Sequence, residues 1–319
     1  ILDNCPAPVG TVPIYEAFTR ADNDIKKLSP KLILNVIREQ AEQGVDFMTL
    51  HAGLLYKHLS LAVKRRMGIV SRGGAILAEW MTYHKKENPI YSQMDKIFEI
   101  CRKYDVTISL GDGLRPGCIA DSSDAAQFAE LKILGKLVQL CRKAGVQCMV
   151  EGPGHIRYDQ IKMNMEKEYR LCYGAPFYVL GPVVTDIAPG YDHIVSAIGA
   201  TAAAYYGASL LCYVTPAEHL GLPDANEVHQ GVIAHKIAAH AADIARGIKD
   251  AIEQDNKISE ARLNFDWETQ FKAAIDGNYA RCRYNKTLKN KLTEEDHCSM
   301  CGKEFCAVRR SRELKKNNA

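Results

Sequence analysis

Three cysteines stand at Cx2Cx4C spacing late in the chain: Cys298, Cys301 and Cys306. Thiolates bind iron–sulfur clusters and zinc. A cubane cluster held by three cysteines leaves one iron open to a small molecule, whereas an electron-carrying cluster normally takes a fourth. No further cysteine occurs from Ala307 to Ala319. The other reading of this spacing is a structural zinc knuckle, with His297 or the distant Cys282 as fourth ligand. His297 adjoins Cys298, which is awkward for two ligands of one metal. On spacing alone both readings stay open.

A second set of polar residues follows short apolar runs. His155 closes Glu151-Gly-Pro-Gly-His155, and His219 follows Glu218. Two neutral imidazoles converging on one site would hold a divalent metal with open positions. Each could equally be a lone histidine bonded within its loop. Asp112 and Arg115 lie in Gly-Asp-Gly-Leu-Arg-Pro. A carboxylate accepts from a hydroxyl or an amine, and a guanidinium forks onto phosphate; an ion pair within the loop is the plainer alternative. Ser71-Arg72-Gly73-Gly74 opens a helical stretch, where backbone N–H groups bind phosphate or Ser71 simply caps. Cys118 follows the Asp112 loop as a buried spectator thiol, with no base nearby in sequence to activate it. No P-loop, GxGxxG or GxSxG motif is present, which argues against nucleotide hydrolysis and serine-nucleophile chemistry.

The elements that must position these residues read as strand, polar turn, helix, repeated. Strand-like runs cover residues 9–15, 46–50, 69–70, 106–110, 146–150, 177–180 and 210–214. Helical periodicity covers 32–43, 75–81, 123–144, 228–246 and 259–275. Continuous apolar strands suit a parallel sheet buried on both faces. Polar strand ends recur along the whole chain, as in a (β/α)8 TIM-type barrel whose loops carry the chemistry. A doubly wound sheet would gather them at one switch point. Seven runs rather than eight, with no Met at the start, lead us to expect a first barrel unit upstream of Ile1. The expected division is a catalytic barrel over 1–257 and a small C-terminal helical, iron–sulfur domain over 258–319.

The bulk numbers narrow the class. A chain of 319 residues with 47% hydrophobic and 25% charged residues has an ordinary globular composition. A net charge of +3 argues for no nucleic-acid or membrane-surface partner, and no apolar run approaches a membrane span. Eleven cysteines, an odd number scattered through apolar stretches, suit free thiols in a reducing cytoplasm.

Taken in order, VGTVPIY, HAG, GIVSRGG, SLGDGLRPG, EGPGH, APFY, TDIAPGYDH, LCYVTPAEHLGLP and CSMCGKEFC resemble the ThiC family of radical S-adenosylmethionine enzymes. The resemblance covers residues 1 to about 306. It implies a TIM-type barrel with a small C-terminal domain, in a homodimer. It also implies a 4Fe–4S cluster on Cys298, Cys301 and Cys306 that binds S-adenosylmethionine, and a divalent metal, zinc or iron, on His155 and His219. Substrate contacts would come from Tyr15, His51, Ser71, Arg72, Gly73, Asp112, Gly113, Arg115, Glu151 and Tyr178. The implied reaction turns aminoimidazole ribonucleotide into a pyrimidine phosphate for thiamin, with electrons from a flavodoxin or ferredoxin.

Two departures stand out. The family's upstream Asn-rich motif and MDLSTG-like strand are not in this sequence, and Ile156-Arg157-Tyr158-Asp159 replaces a Val-Pro pair and a Met or Leu. The Ile156 to Asp159 segment and Ala197 to Tyr206 make the sister 5-hydroxybenzimidazole synthases, which serve cobamide synthesis from the same substrate, the nearest alternative. A zinc-stapled barrel without radical chemistry is the alternative from another class.

Overall fold

The computed structural model describes residues 1–288, 297 and 300–317. The chain divides into two compact units, 1–239 and 240–319, and the division falls within one helix.

The first unit is built on six parallel strands: β1 (Gly10–Thr11), β2 (Phe47–Leu50), β3 (Thr107–Leu110), β4 (Cys148–Glu151), β5 (Phe177–Leu180) and β6 (Leu210–Cys212). Each pairs in parallel with its sequence neighbour, so their order in the sheet is β1 to β6 without a switch point. That order is the one a (β/α) barrel requires, and the sheet is that of a partial TIM-type barrel. Helices follow the strands: α1 (Pro13–Arg20), α2 (Pro30–Glu42), α3 (Leu59–Ala62), α4 (Arg72–His84), α5 (Met94–Tyr104), α6 (Ala125–Lys143), α7 (Ile161–Leu171), α8 (Asp192–Tyr205) and α9 (Ala225–Ala245).

The strands form because their centres are continuous apolar runs that the helices cover. Met48, Leu50, Ile108, Leu110, Val150 and Val179 are wholly buried. Helix α2 shows how the outer layer is specified. Ser29 caps it by accepting the Leu32 N–H at 3.1 Å, and Pro30 occupies its first turn. Ile33, Val36, Ile37 and Ala41 then recur at helical spacing and face the core. Fully burying each large side chain contributes about 1.5–3 kcal/mol.

Three expectations fail here. The strand expected over 9–15 stops at Thr11, because Pro13 begins α1 with its φ already set for a helix. Ile69 and Val70 form no strand. β2 and β3 pair directly over their whole length, leaving no place between them for another strand. The helix expected over 259–275 is two, α10 (Lys249–Asn264) and α11 (Trp267–Ala273). Phe265 takes a left-handed φ of 57° after α10, and Asp266 caps α11 by accepting the Thr269 N–H.

In the second unit α12 (Gly277–Leu288), α13 (Gly302–Phe305) and α14 (Ala307–Asn317) complete the described helices. Trp267, Phe271 and Tyr284 pack ring to ring, with centroids 4.4 Å apart for Trp267–Tyr284 and 5.6 Å for Phe271–Tyr284. No described helix is long and apolar enough to cross a membrane.

Candidate functional site

The ends of β2, β3 and β4 carry one group of side chains. His51 follows β2 and is 2% exposed. Burial pushes its pKa down to about 4, so the ring is neutral at pH 7. Its Nδ1 has no partner among the described residues. Asn88 fixes this loop, its amide donating to the carbonyls of His51 and Leu54 at 2.8 Å each. Ser71 caps α4 by accepting the Gly74 N–H at 3.1 Å. Gly73 and Gly74 must be glycine for packing: a Cβ on the first would strike the His51 ring, and one on the second the Gly113 backbone. Arg72 is exposed and lies over the Tyr15 ring, 5.2 Å from its centroid.

After β3, Asp112 accepts from Arg115 at 2.8 Å, and the Asp112 N–H donates to Glu151 at 3.0 Å. Arg115 lies 3.8 Å from Glu151. The expected ion pair within the loop therefore exists, but it includes a third residue from β4. Burial, and then Glu151, push the Asp112 carboxyl well above the usual range. Burial works against the Arg115 charge, yet the two carboxylates hold it firmly protonated. Tyr178, on β5, has its phenol pushed up by burial.

This loop is clamped from behind by Arg65. Its guanidinium, with a side chain 2% exposed, makes two 2.7 Å bonds to Asp124, the cap of α6. It also donates to the carbonyls of Leu114 at 2.7 Å and Arg115 at 3.2 Å. Arg65 went unnoticed in the sequence because it reads as part of a solvated basic run.

The second group centres on His155 and His219, whose Nε2 atoms are 3.3 Å apart. Each ring is anchored through Nδ1, His155 to Asp186 at 2.8 Å and His219 to Asp192 at 3.3 Å. Asp186 comes from the turn before α8, and Asp192 is the first residue of that helix. His219 reaches its position with a left-handed φ of 63°. Burial pushes the His155 pKa down against the pull of Asp186. The two Nε2 atoms face each other within hydrogen-bond distance, the donor being set by the tautomers. Among the described residues no set of three or more such side chains forms a ready ligand cluster. A cavity of about 160 Å³ opens beside the pair and is also lined by Arg115, Met67 and Glu218.

In the second unit Cys301 is exposed and Cys306 buried, at the two ends of the one-turn α13. Cys298, the remaining member of the motif, lies outside the described residues.

The radical SAM ThiC family matches residues 1–313. The phosphomethylpyrimidine synthase of Halobacterium salinarum is 57% identical over 309 residues, 97% of this chain and 65% of its own length. That of Natronomonas pharaonis is 59% identical over 305 residues, 95% of this chain and 64% of its own. The chain thus spans a little under two thirds of the length of these curated relatives.

Proposed function

The chain belongs to the radical SAM ThiC family, and from that premise we propose that it serves thiamin synthesis. The reaction rearranges 5-aminoimidazole ribonucleotide into 4-amino-5-hydroxymethyl-2-methylpyrimidine phosphate. One observation carries this reading. Residues from five separate motifs meet at the ends of β2, β3 and β4, and share Arg115 with the cavity beside His155 and His219.

A 4Fe–4S cluster on Cys298, Cys301 and Cys306 would bind S-adenosylmethionine at its open iron and supply a radical for hydrogen abstraction. The barrel's own residues decide which hydrogen is reachable. Arg115 offers a guanidinium to the phosphate, beside the N-terminal turn of α4 with Ser71, Arg72 and Gly73. Asp112 and Glu151 accept from the ring amine or the ribose hydroxyls. Neutral His51 can accept at Nδ1 without adding charge. Gly113 lets the ligand approach the backbone closely. Tyr15 and Tyr178 provide walls with one polar tip each.

The two histidines fit a divalent cation. Two ligand nitrogens at the usual zinc distance subtend about 3.3 Å across a tetrahedral corner, the separation found here. Asp186, bonded to His155 Nδ1, and Asp192, beside His219 Nδ1, would turn both Nε2 atoms toward the cation. The remaining positions would be left to substrate or water.

The reading extends to a low-potential flavodoxin or ferredoxin as electron donor, a homodimer, and a cytoplasmic location. The described cysteines are all free, in keeping with a reducing compartment.

The deciding experiment uses full-length, anaerobically reconstituted protein with aminoimidazole ribonucleotide, S-adenosylmethionine and a strong reductant, and identifies products by mass spectrometry. A phosphorylated hydroxymethylpyrimidine is expected. Hydroxybenzimidazole would overturn the pyrimidine assignment. Tightly bound zinc without labile sulfide at the cysteine motif would overturn radical chemistry altogether.

A further inference from the structure

Glu130 rises from α6 beneath the loops that follow β2 and β3, and is 2% exposed. Its Oε2 accepts the Leu114 N–H at 2.6 Å. Two glycines lie against it. A Cβ on Gly53 would come within 2.9 Å of Glu130 Cγ, and one on Gly113 within 3.1 Å of its Oε1. Both loops therefore take glycine where this carboxyl stands.

Glu130 Oε1 has no hydrogen-bond partner among the described residues, and neither has Asp112 Oδ2. Both residues line one cavity of about 20 Å³, together with Arg115, Gln127, Glu151 and Asn164. One water requires about 10–15 Å³ and two to four polar partners, so the space and its lining suit a single water.

The charges do not balance if every acid is ionised. Asp112 and Glu151 face the Arg115 guanidinium, and the cation acting on Glu130 is Arg65, which Asp124 already engages, so four carboxylates meet two guanidinium groups. His51, neutral, offers no compensation. Surplus negative charge in a buried site is costly, and a retained proton relieves it. Burial accordingly pushes Glu130 up to about 8, opposed by the Leu114 and Gly113 N–H groups, and lifts Asp112 as well.

We propose that Glu130 is a buried proton store for the site, a neutral acid whose Oε1 exchanges a proton with Asp112 Oδ2 through one water in this cavity. As the Glu130 proton passes to the water, a proton of that water passes to Asp112. Glu130 becomes the carboxylate, Asp112 the acid, and total charge is unchanged. Glu130 is a positioning residue, since it acts through Asp112. The claim that Asp112 faces substrate rests on the function proposed above; the proton store itself does not.

Infrared difference spectroscopy of the full-length protein tests this through the carbonyl stretch of protonated carboxyl groups. The wild type should show such absorption at neutral pH, bleached on alkaline titration, and Glu130→Gln should lose one component of it while the Glu168 component remains. In Asp112→Asn the Glu130 band should move in frequency and its titration midpoint should shift. If Asp112→Asn does not fold, Glu151→Gln provides the same test, because it alters the charge facing the pair. No band attributable to Glu130, or one whose position and midpoint ignore both neighbours, overturns the proposal. Added aminoimidazole ribonucleotide should shift the band. Ligand that binds without moving it would sever Glu130 from the site. Failure of the wild type to bind ligand would instead sink the proposed function, and the coupling to Asp112 would still decide the proton store.

Discussion

His155 and His219, 64 residues apart in sequence, point their Nε2 atoms at each other across 3.3 Å. Asp186 holds the His155 ring by a 2.8 Å hydrogen bond, and Asp192 lies 3.3 Å from His219 Nδ1. The expected consequence is one divalent metal per chain beyond the iron of the cluster, measured by elemental analysis after anaerobic purification with labile sulfide as the count of cluster. His155→Ala should lower that stoichiometry to near zero. Asp186→Asn should keep the fold and weaken metal affinity about 10–100-fold in chelator competition, because the amide no longer selects the tautomer. Full metal retention in His155→Ala would refute the pairing.

The Arg65 clamp yields a stability prediction. Arg65→Met removes the cation from Asp124 and leaves the Leu114 and Arg115 carbonyls without their donor. Breaking a buried, hydrogen-bonded pair on one side costs about 3–5 kcal/mol. The lower end is expected, since the Asp124 side chain keeps 27% exposure. Urea unfolding reads this directly. A loss below about 1 kcal/mol would mean that the loop supports itself.

Glu168, on α7, gives a pH prediction outside the site. It is 2% exposed with Oε1 unpartnered among the described residues, and burial pushes its pKa from 4.5 up to about 8. Between those values the folded chain keeps a proton that the unfolded chain has released. Its contribution is therefore fully present below pH 4.5 and is lost as pH rises toward 8. Glu168→Gln should match the wild type near pH 4.5 and exceed it by about 2–4 kcal/mol at pH 8. Urea unfolding at both values checks it, and a difference that does not vary with pH counts against the assignment.

For the thiol motif, Cys301→Ala should abolish S-adenosylmethionine cleavage while circular dichroism and thermal unfolding of the barrel stay near wild type. Undiminished 5′-deoxyadenosine formation by that variant would exclude Cys301 as a cluster ligand.

Much of the barrel was readable because β2 to β5 are largely apolar runs that break off at a polar residue or glycine: His51, Gly111, Glu151 and Gly181. The first helix was not, since residues 9–15 alternate like a strand and only Pro13 hints otherwise. Individual site residues were legible from type and position, as with Asp112 and His155. Their partners were not: the Asp112–Glu151 contact spans 39 residues, and no local period encodes it. Glu130 did leave a trace. It occupies a core position of α6, in step with Ala126, Leu134, Leu137 and Cys141, where a charge has no business unless it serves something.

Asp186 has a second bond besides the one to His155: its other oxygen accepts the Ile119 N–H at 2.8 Å. The His155 N–H in turn donates to the Pro116 carbonyl at 3.1 Å. The histidine pair and the loop of Asp112 and Arg115 thus share a frame, so that a cation and a nucleotide bound as proposed would each bear on the other's site. Thermodynamic linkage makes that influence reciprocal: whatever factor a cation on the histidines adds to nucleotide affinity, the nucleotide returns to the cation. Each ligand, so bound, would guard the other against loss, and a shortage of metal would weaken the grip on substrate before it cost the fold.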